Sequence, residues 1–272
     1  MGVLLGGFRF DPKDGRRQAV PTWAQDFCGA SPCLGNRAGR GAFSTDRISG
    51  EGWVMLIASV VLFGAFCLLA VGVLQGALDG IDLAIMNLLR NPDAPDALLG
   101  PTWLHEMGRD VTALGSLSVL FLVTGTSFAY LLVTGRTRLA AFLAGAFGGA
   151  FLLSFALKEL VGRPRPEFIS IAEVFTPSFP SAHASLSAAT FLSVGLLLTR
   201  AEPGETKDRY VIGVAIVLTL LVGLSRLYLG LHYPSDILAG WMLGAGWVCL
   251  CWWYAERREH RAEIALAEAR RY

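Results

Sequence analysis

Six long apolar stretches dominate this chain, and they limit what it can fold into more than any other feature. A bilayer core about 30 Å thick takes roughly 20 mostly apolar residues per helical crossing. The runs lie at residues 53–78, 111–134, 139–157, 182–199, 210–231 and 237–254. Unpaired backbone groups cost several kcal/mol each in hydrocarbon, and no barrel-like alternation is present, so each run predicts an α-helix. The expectation is an all-α bundle of six transmembrane helices spanning residues 53–254, with Gly145 and Gly149 of the third run spaced for close helix packing. Residues 1–52 have neither a helical period nor the apolar core of a signal peptide and are expected to form a flexible tail. A start near Met55 would also fit the sequence. Residues 255–272 alternate Arg and Glu and predict a short charged helix outside the membrane with a solvated face.

Composition narrows the function classes. A mean hydropathy of +0.50 with 53% hydrophobic residues disfavours a soluble enzyme. The net charge of +1 offers no basic field for nucleic acid. Five cysteines, with no pattern of zinc ligands, support neither a disulfide framework nor a metal site, and Cys28 and Cys33 lack partner ligands.

Orientation follows from the distribution of Lys and Arg. The first tail carries seven, the connections around Arg136 and Arg200 two and three, and the last tail five, against six on the other side. Both termini are therefore expected in the cytoplasm and the loops 1/2, 3/4 and 5/6 outside. Trp53, Trp252, Trp253 and Tyr254 fit interfacial anchors on the cytoplasmic side. Residues 94–107, with Leu98, Leu99, Trp103 and Leu104, predict an interfacial helix on the outer surface. His105 and His260 have no partner pattern and read as loop and tail residues.

Three polar clusters fall at helix mouths on the outer side: KELVGRPRP (158–166), PSAH (180–183) and SRLYLGLHYPSD (225–236). Ionisable groups at such positions are expensive and mark function. Lys158, Arg165 and Arg226 form a cationic set suited to a phosphoryl group. His232 and Asp236 are four apart. In the first turn of the sixth helix they would share a face, and Asp236 could hold the Nδ1 proton and leave Nε2 nucleophilic. Pro234 suits a first helical turn. Ser181 reads as the N-cap of the fourth helix, which would aim backbone N–H groups, including that of Ala182, at an anion. His183 is placed to act as a general acid. Taken singly, each of these residues also has a structural reading, as a snorkelling cation, a packing histidine or a cap.

The patterns K-x6-RP (Lys158, Arg165, Pro166), PS-x-H (Pro180, Ser181, His183) and SR-x5-H-x3-D (Ser225, Arg226, His232, Asp236) resemble the three-part signature of the type 2 phosphatidic acid phosphatase superfamily. The resemblance implies that His232 attacks phosphorus to give a phosphohistidine, that Asp236 orients it, and that His183 protonates the leaving group. Lys158, Arg165, Ser181, Ala182 and Arg226 would bind the phosphate, with no metal and no cofactor. The implied activity is hydrolysis of a lipid phosphate or diphosphate in the cell membrane, with phosphatidic acid, phosphatidylglycerophosphate or undecaprenyl diphosphate as candidate substrates and the site on the external side. The family's middle motif usually reads PSGH, whereas residue 182 is Ala; the swap is nearly free if residue 182 is already helical. Two alternatives stay open from sequence: phosphotransfer to a lipid or sugar acceptor, and a non-catalytic phosphate-binding or transport protein. A soluble-type haloperoxidase does not fit six spans.

Overall fold

In the computed structural model, residues 4–5, 8–10, 17–19, 48–91, 94–166, 176–201 and 204–269 are described. The chain divides into two units, Met1–Arg40 and Gly41–Tyr272. Within the first, strands β1 (Leu4–Leu5), β2 (Phe8–Phe10) and β3 (Arg17–Ala19) pair antiparallel. Of the rest of the expected N-terminal tail, residues 48–52 already belong to the first helix of the second unit, and the remainder falls outside the described residues, as do Cys28 and Cys33.

The second unit contains eight described helices: α1 (Ile48–Leu74), α2 (Asp79–Asn87), α3 (Thr102–Ala113), α4 (Leu117–Val133), α5 (Thr137–Val161), α6 (Ala182–Ala201), α7 (Glu205–Tyr228) and α8 (Pro234–Ala269). Helices α1, α5, α6, α7 and α8 are each long and apolar enough to cross a membrane, and α3 with α4 adds a sixth crossing if the pair, bent by 41°, is one span. Val60, Leu68, Val133, Leu152 and Leu160 are exposed apolar side chains, as a lipid-facing surface requires.

The expected second run, 111–134, turns out to include the end of α3, a break and then α4. Ser116 starts a new helix there, its Oγ accepting from the Val119 N–H at 3.4 Å. Gly115 fills the break, where any side chain would put its Cβ 2.3 Å from Val222 Cγ1. The expected interfacial helix over 94–107 is also corrected. Ala94–Leu98 forms a strand, β5, antiparallel to β4 (Arg90–Asn91), and only from Thr102 is the chain helical, which places His105 on a helix.

Helix α8 runs without interruption through the charged stretch expected to be a separate helix, and that stretch is not uniformly solvated. Glu256 is buried and pairs with Arg200 at 2.6 Å, and buried Glu259 lies 4.0 Å from Arg138. Trp252 is a core residue rather than an interfacial anchor, packed edge-on against Phe142 and donating to Glu256.

Two contacts set the geometry of the functional end. Helices α6 and α8 approach so closely that a Cβ at Gly244 would stand 2.2 Å from the Ser185 carbonyl oxygen, and one at Gly240 2.6 Å from that of Ser181. The Ser181 N–H donates to the Asp236 carbonyl at 3.0 Å. These two helices therefore run parallel with their N-termini side by side. The Gly145/Gly149 spacing of α5, by contrast, admits an aromatic ring: Trp247 Nε1 donates to the Gly145 carbonyl at 3.0 Å, and its ring fills the space over Gly149.

Candidate active site

Lys158 lies in the last turn of α5 and Arg226 in the last turn of α7, while Ser181 and Asp236 lie at the starts of α6 and α8. The up-and-down order of α5 to α8 thus brings two C-terminal ends and two N-terminal ends together at one end of the bundle. Helix α5 stops at Gly162 in the left-handed conformation, its N–H donating to the Lys158 carbonyl at 2.9 Å, and the chain turns into the Arg163–Pro166 loop.

His232 is buried at 1% exposure. It sits two residues before α8 begins, not inside its first turn as expected, because Pro234 opens the helix. Its Nε2 lies 3.2 Å from Arg165 Nη1. A guanidinium only donates, so this contact requires a lone pair on Nε2 and places the proton on Nδ1. Nδ1 lies 3.5 Å from Asp236 Oδ2 and 3.3 Å from Ser178 Oγ, and Ser178 donates a short hydrogen bond to the same Oδ2. The expected direct histidine–carboxylate bond is therefore bridged by a serine hydroxyl. Burial lowers the His232 pKa below its ordinary 6.5; Asp236 works against this, and Arg226 and Arg165 add to it.

Arg165 reaches His232 from a loop that holds it firmly. Its Nε donates to the Thr176 carbonyl at 2.8 Å, its Nη2 to Thr176 Oγ1 at 3.1 Å and its Nη1 to the Leu231 carbonyl at 2.8 Å. Lys158 Nζ donates to the Pro177 carbonyl at 2.6 Å, anchoring the segment that carries Ser178. Arg226 is 7% exposed; its Nη1 reaches Thr112 Oγ1 at 3.4 Å, and its Nε has no hydrogen-bond partner among the described residues.

Ser181 occupies the N-cap position of α6, since its carbonyl accepts from the Ser185 N–H at 3.0 Å. The expected side-chain cap is absent: Ser181 Oγ is fully buried and has no partner among the described residues. Ala182 is already the first helical residue, so replacing the usual glycine demands no left-handed backbone. His183 follows it in the first turn, its Cδ2 lying 3.3 Å from where a Cβ at Gly115 would stand. The charges that bear on it are those of Arg226, His232, Arg165 and Lys158, so residues of all three clusters lie near one another at this end of the bundle.

Four residues escaped the sequence reading. Ser178 lies just before the PSAH cluster. Arg163, in the same RPRP stretch as Arg165, is 8% exposed and binds Asp236 Oδ1 and Ser235 Oγ through Nη1, both at 2.8 Å. Its Nη2 binds Asp82 Oδ2 at 2.8 Å and Asp79 Oδ1 at 3.0 Å. The two aspartates belong to α2, between the first two apolar runs. Two acids three residues apart before an apolar stretch, DGID at 79–82, were the available signal.

One end of this helical bundle gathers Lys158, Arg165 and Arg226 with two histidines and an oriented carboxylate, a set whose chemistry suits a phosphoryl group. The family model of the PAP2 superfamily matches residues 138–260. The chain is 31% identical over 189 residues to phosphatidylglycerophosphatase B of Bacillus subtilis, covering 68% of this chain and 88% of that one. It is 30% identical over 183 residues to a lipid A 1-phosphatase of Rhizobium etli, covering 58% and 74% respectively. Among solved structures, it is similar to a transmembrane PAP2-type phosphatidylglycerolphosphate phosphatase from Bacillus subtilis. That match has a TM-score of 0.64 and 30% identity, and spans 73% of this chain and 96% of the other. The chain belongs to the PAP2 superfamily, as a membrane member whose relatives are lipid phosphatases.

Proposed function

We propose that this protein hydrolyses the terminal phosphate of a lipid phosphate or diphosphate through a phosphohistidine on His232. The observation that carries the reading is that Ser181 Oγ and Arg226 Nε, at the same end of the bundle as His232, are buried without hydrogen-bond partners among the described residues, while the His232 Nε2 lone pair faces the Arg165 guanidinium. A buried polar atom left unpaired costs about 1–3 kcal/mol, and a phosphate oxygen would remove that penalty at both.

In the first step Nε2 attacks phosphorus, the N–P bond forms as the bond to the leaving oxygen breaks, and His183 gives that oxygen its proton. In the second, water attacks phosphorus, His183 accepts the water proton, the N–P bond breaks and phosphate leaves. Lys158, Arg165 and Arg226 offset the equatorial charge, aided by Ser181 and the N–H groups at Ala182 and the start of α6. No metal takes part in this scheme. The substrate's hydrocarbon stays in the bilayer while its headgroup reaches the cations, so phosphatidylglycerophosphate, phosphatidic acid and undecaprenyl diphosphate are the substrates to try. The termini face the cytoplasm and the site the external leaflet, in keeping with the Lys and Arg distribution.

Purified protein in detergent should release phosphate from at least one of these lipids, continue to do so in EDTA, and lose the activity in His232→Ala. A requirement for Mg²⁺ would contradict the scheme.

A further inference from the structure

Arg163 is the most heavily engaged side chain near the site, yet no step above uses it. It holds three carboxylates, and their burial decides which matter. Asp79 is 58% exposed, so water screens its pairing. Asp82 and Asp236 are 3% and 0% exposed, and there the ion pairs act in a poor dielectric. The Tyr233 ring covers the guanidinium with Cζ 4.1 Å from its centroid. Burial works against the Arg163 charge, but the Asp82 and Asp236 carboxylates outweigh it and raise its pKa.

The contacts divide Asp236 in two. Oδ1 is taken by Arg163, whereas Oδ2 receives Ser178 Oγ and the Tyr233 N–H and faces His232. Asp82 does a second job: its Oδ1 accepts from the Ser235 N–H at 3.0 Å, and its Oδ2 accepts from the Ser235 hydroxyl. It thereby satisfies, from another helix, a backbone N–H in the first turn of α8.

We infer that Arg163 and Asp82 are positioning residues for phosphoryl transfer, with Arg163 locking the Asp236 carboxylate so that Oδ2 is presented to Ser178 and His232, and Asp82 holding both Arg163 and the turn that carries Asp236. The inference rests on His232 as the nucleophile. Neither residue contacts the groups assigned to phosphate, so their loss should be felt in turnover rather than in binding.

The relay has an electrostatic fingerprint that mere architecture lacks. The charged and titratable groups that bear on His232 are Asp236 on α8, Arg165 on the loop, Arg226 on α7 and His183 on α6. Removing the Arg163 charge leaves Asp236 less compensated, which favours protonated His232 and moves the acid limb of the kcat profile to higher pH. Removing the Asp82 charge does the opposite.

The test compares wild type, Arg163→Gln, Arg163→Lys, Asp82→Asn and the Arg163→Gln/Asp82→Asn double variant in detergent with phosphatidic acid as the probe. Expected are a kcat lower by about 10- to 100-fold in Arg163→Gln with KM nearly unchanged, partial rescue by Arg163→Lys, opposite limb shifts in the two single charge variants, and a non-additive double variant. Limbs that stay in place or move the same way, or a loss confined to KM, would overturn the relay. Where Arg163→Gln does not fold, Arg163→Lys and Asp82→Asn carry the same comparison. His232→Ala run alongside separates the failures: activity surviving there overturns the nucleophile reading and the relay with it, while a silent His232→Ala beside an unmoved Arg163→Gln profile overturns the relay alone.

Discussion

His232 and Asp236, four residues apart, are joined through a third side chain: Nδ1 and Oδ2 stand 3.5 Å apart, with the Ser178 hydroxyl 3.3 Å from the ring nitrogen and bonded to the carboxylate. Since Nε2 carries the lone pair, the chain of donors runs from the His232 Nδ1–H to Ser178 Oγ, and from the Ser178 O–H to Asp236. Ser178→Ala removes the bridge and leaves a buried N–H with a carboxylate too far for a good bond. A kcat lower by about tenfold with little change in KM is expected, measured by phosphate release. Full activity in this variant would mean that Asp236 moves in to bond directly.

The acid side of the pH profile follows from the burial of His232. Attack requires the neutral ring. Its pKa in the native protein lies below 6.5, so the ring stays neutral as pH falls through 6.5 and activity persists there. Stability has the same sign. Below 6.5 the unfolded chain binds a proton at His232 that the native state refuses, so this contribution is present above 6.5 and is lost as pH drops toward the lowered native value. A kcat/KM acid limb at or above 6.5 would contradict the assignment.

The closeness of α6 and α8 is what sets Ser181 and His183 beside His232. A Cβ at residue 244 would come within 2.2 Å of the Ser185 carbonyl, which is backbone and cannot swing away. Gly244→Val should therefore separate the helix starts, costing about 1–3 kcal/mol of stability, and lower activity together with the thermal midpoint in detergent. A variant with both unchanged would show that the helices tolerate a wider spacing.

Ala182 makes a negative prediction. Because the helix has begun at that residue, Ala182→Gly gains no backbone freedom that phosphate binding needs. Activity should stay within about twofold of wild type, the cost of one glycine at a helix start being below about 1 kcal/mol. A tenfold gain would mean that Ala182 restrains the anion site.

Much of the fold was legible because hydrocarbon permits few backbone solutions: the apolar runs of α1 and α5–α8 define helices directly. The boundaries that sequence misplaced are those set by local polar chemistry, as at Gly115–Ser116, where a short break disappears inside an otherwise apolar run. The charged end of α8 misled for a different reason. Alternating Arg and Glu looks solvated, but Glu256 and Glu259 are buried against other helices, and periodicity within one helix carries no information about its neighbours. At the site, residues within the three spaced patterns could be named in advance. The acids of DGID stood out but could not be assigned to the site, because Asp82's partners Arg163 and Ser235 lie 81 and 153 residues away and only tertiary packing unites them. Ser178 was hidden by ordinariness, since a serine before a proline-bearing turn first suggests turn chemistry.

The most direct test of the central claim is to look for phosphorus on His232. Protein mixed with a lipid phosphate labelled in its terminal phosphoryl group and quenched in alkali within one turnover should carry an acid-labile, alkali-stable label on the His232 peptide, and His232→Ala should carry none. Label absent from wild type while phosphate is released in the same turnover, or present equally in His232→Ala, would contradict it.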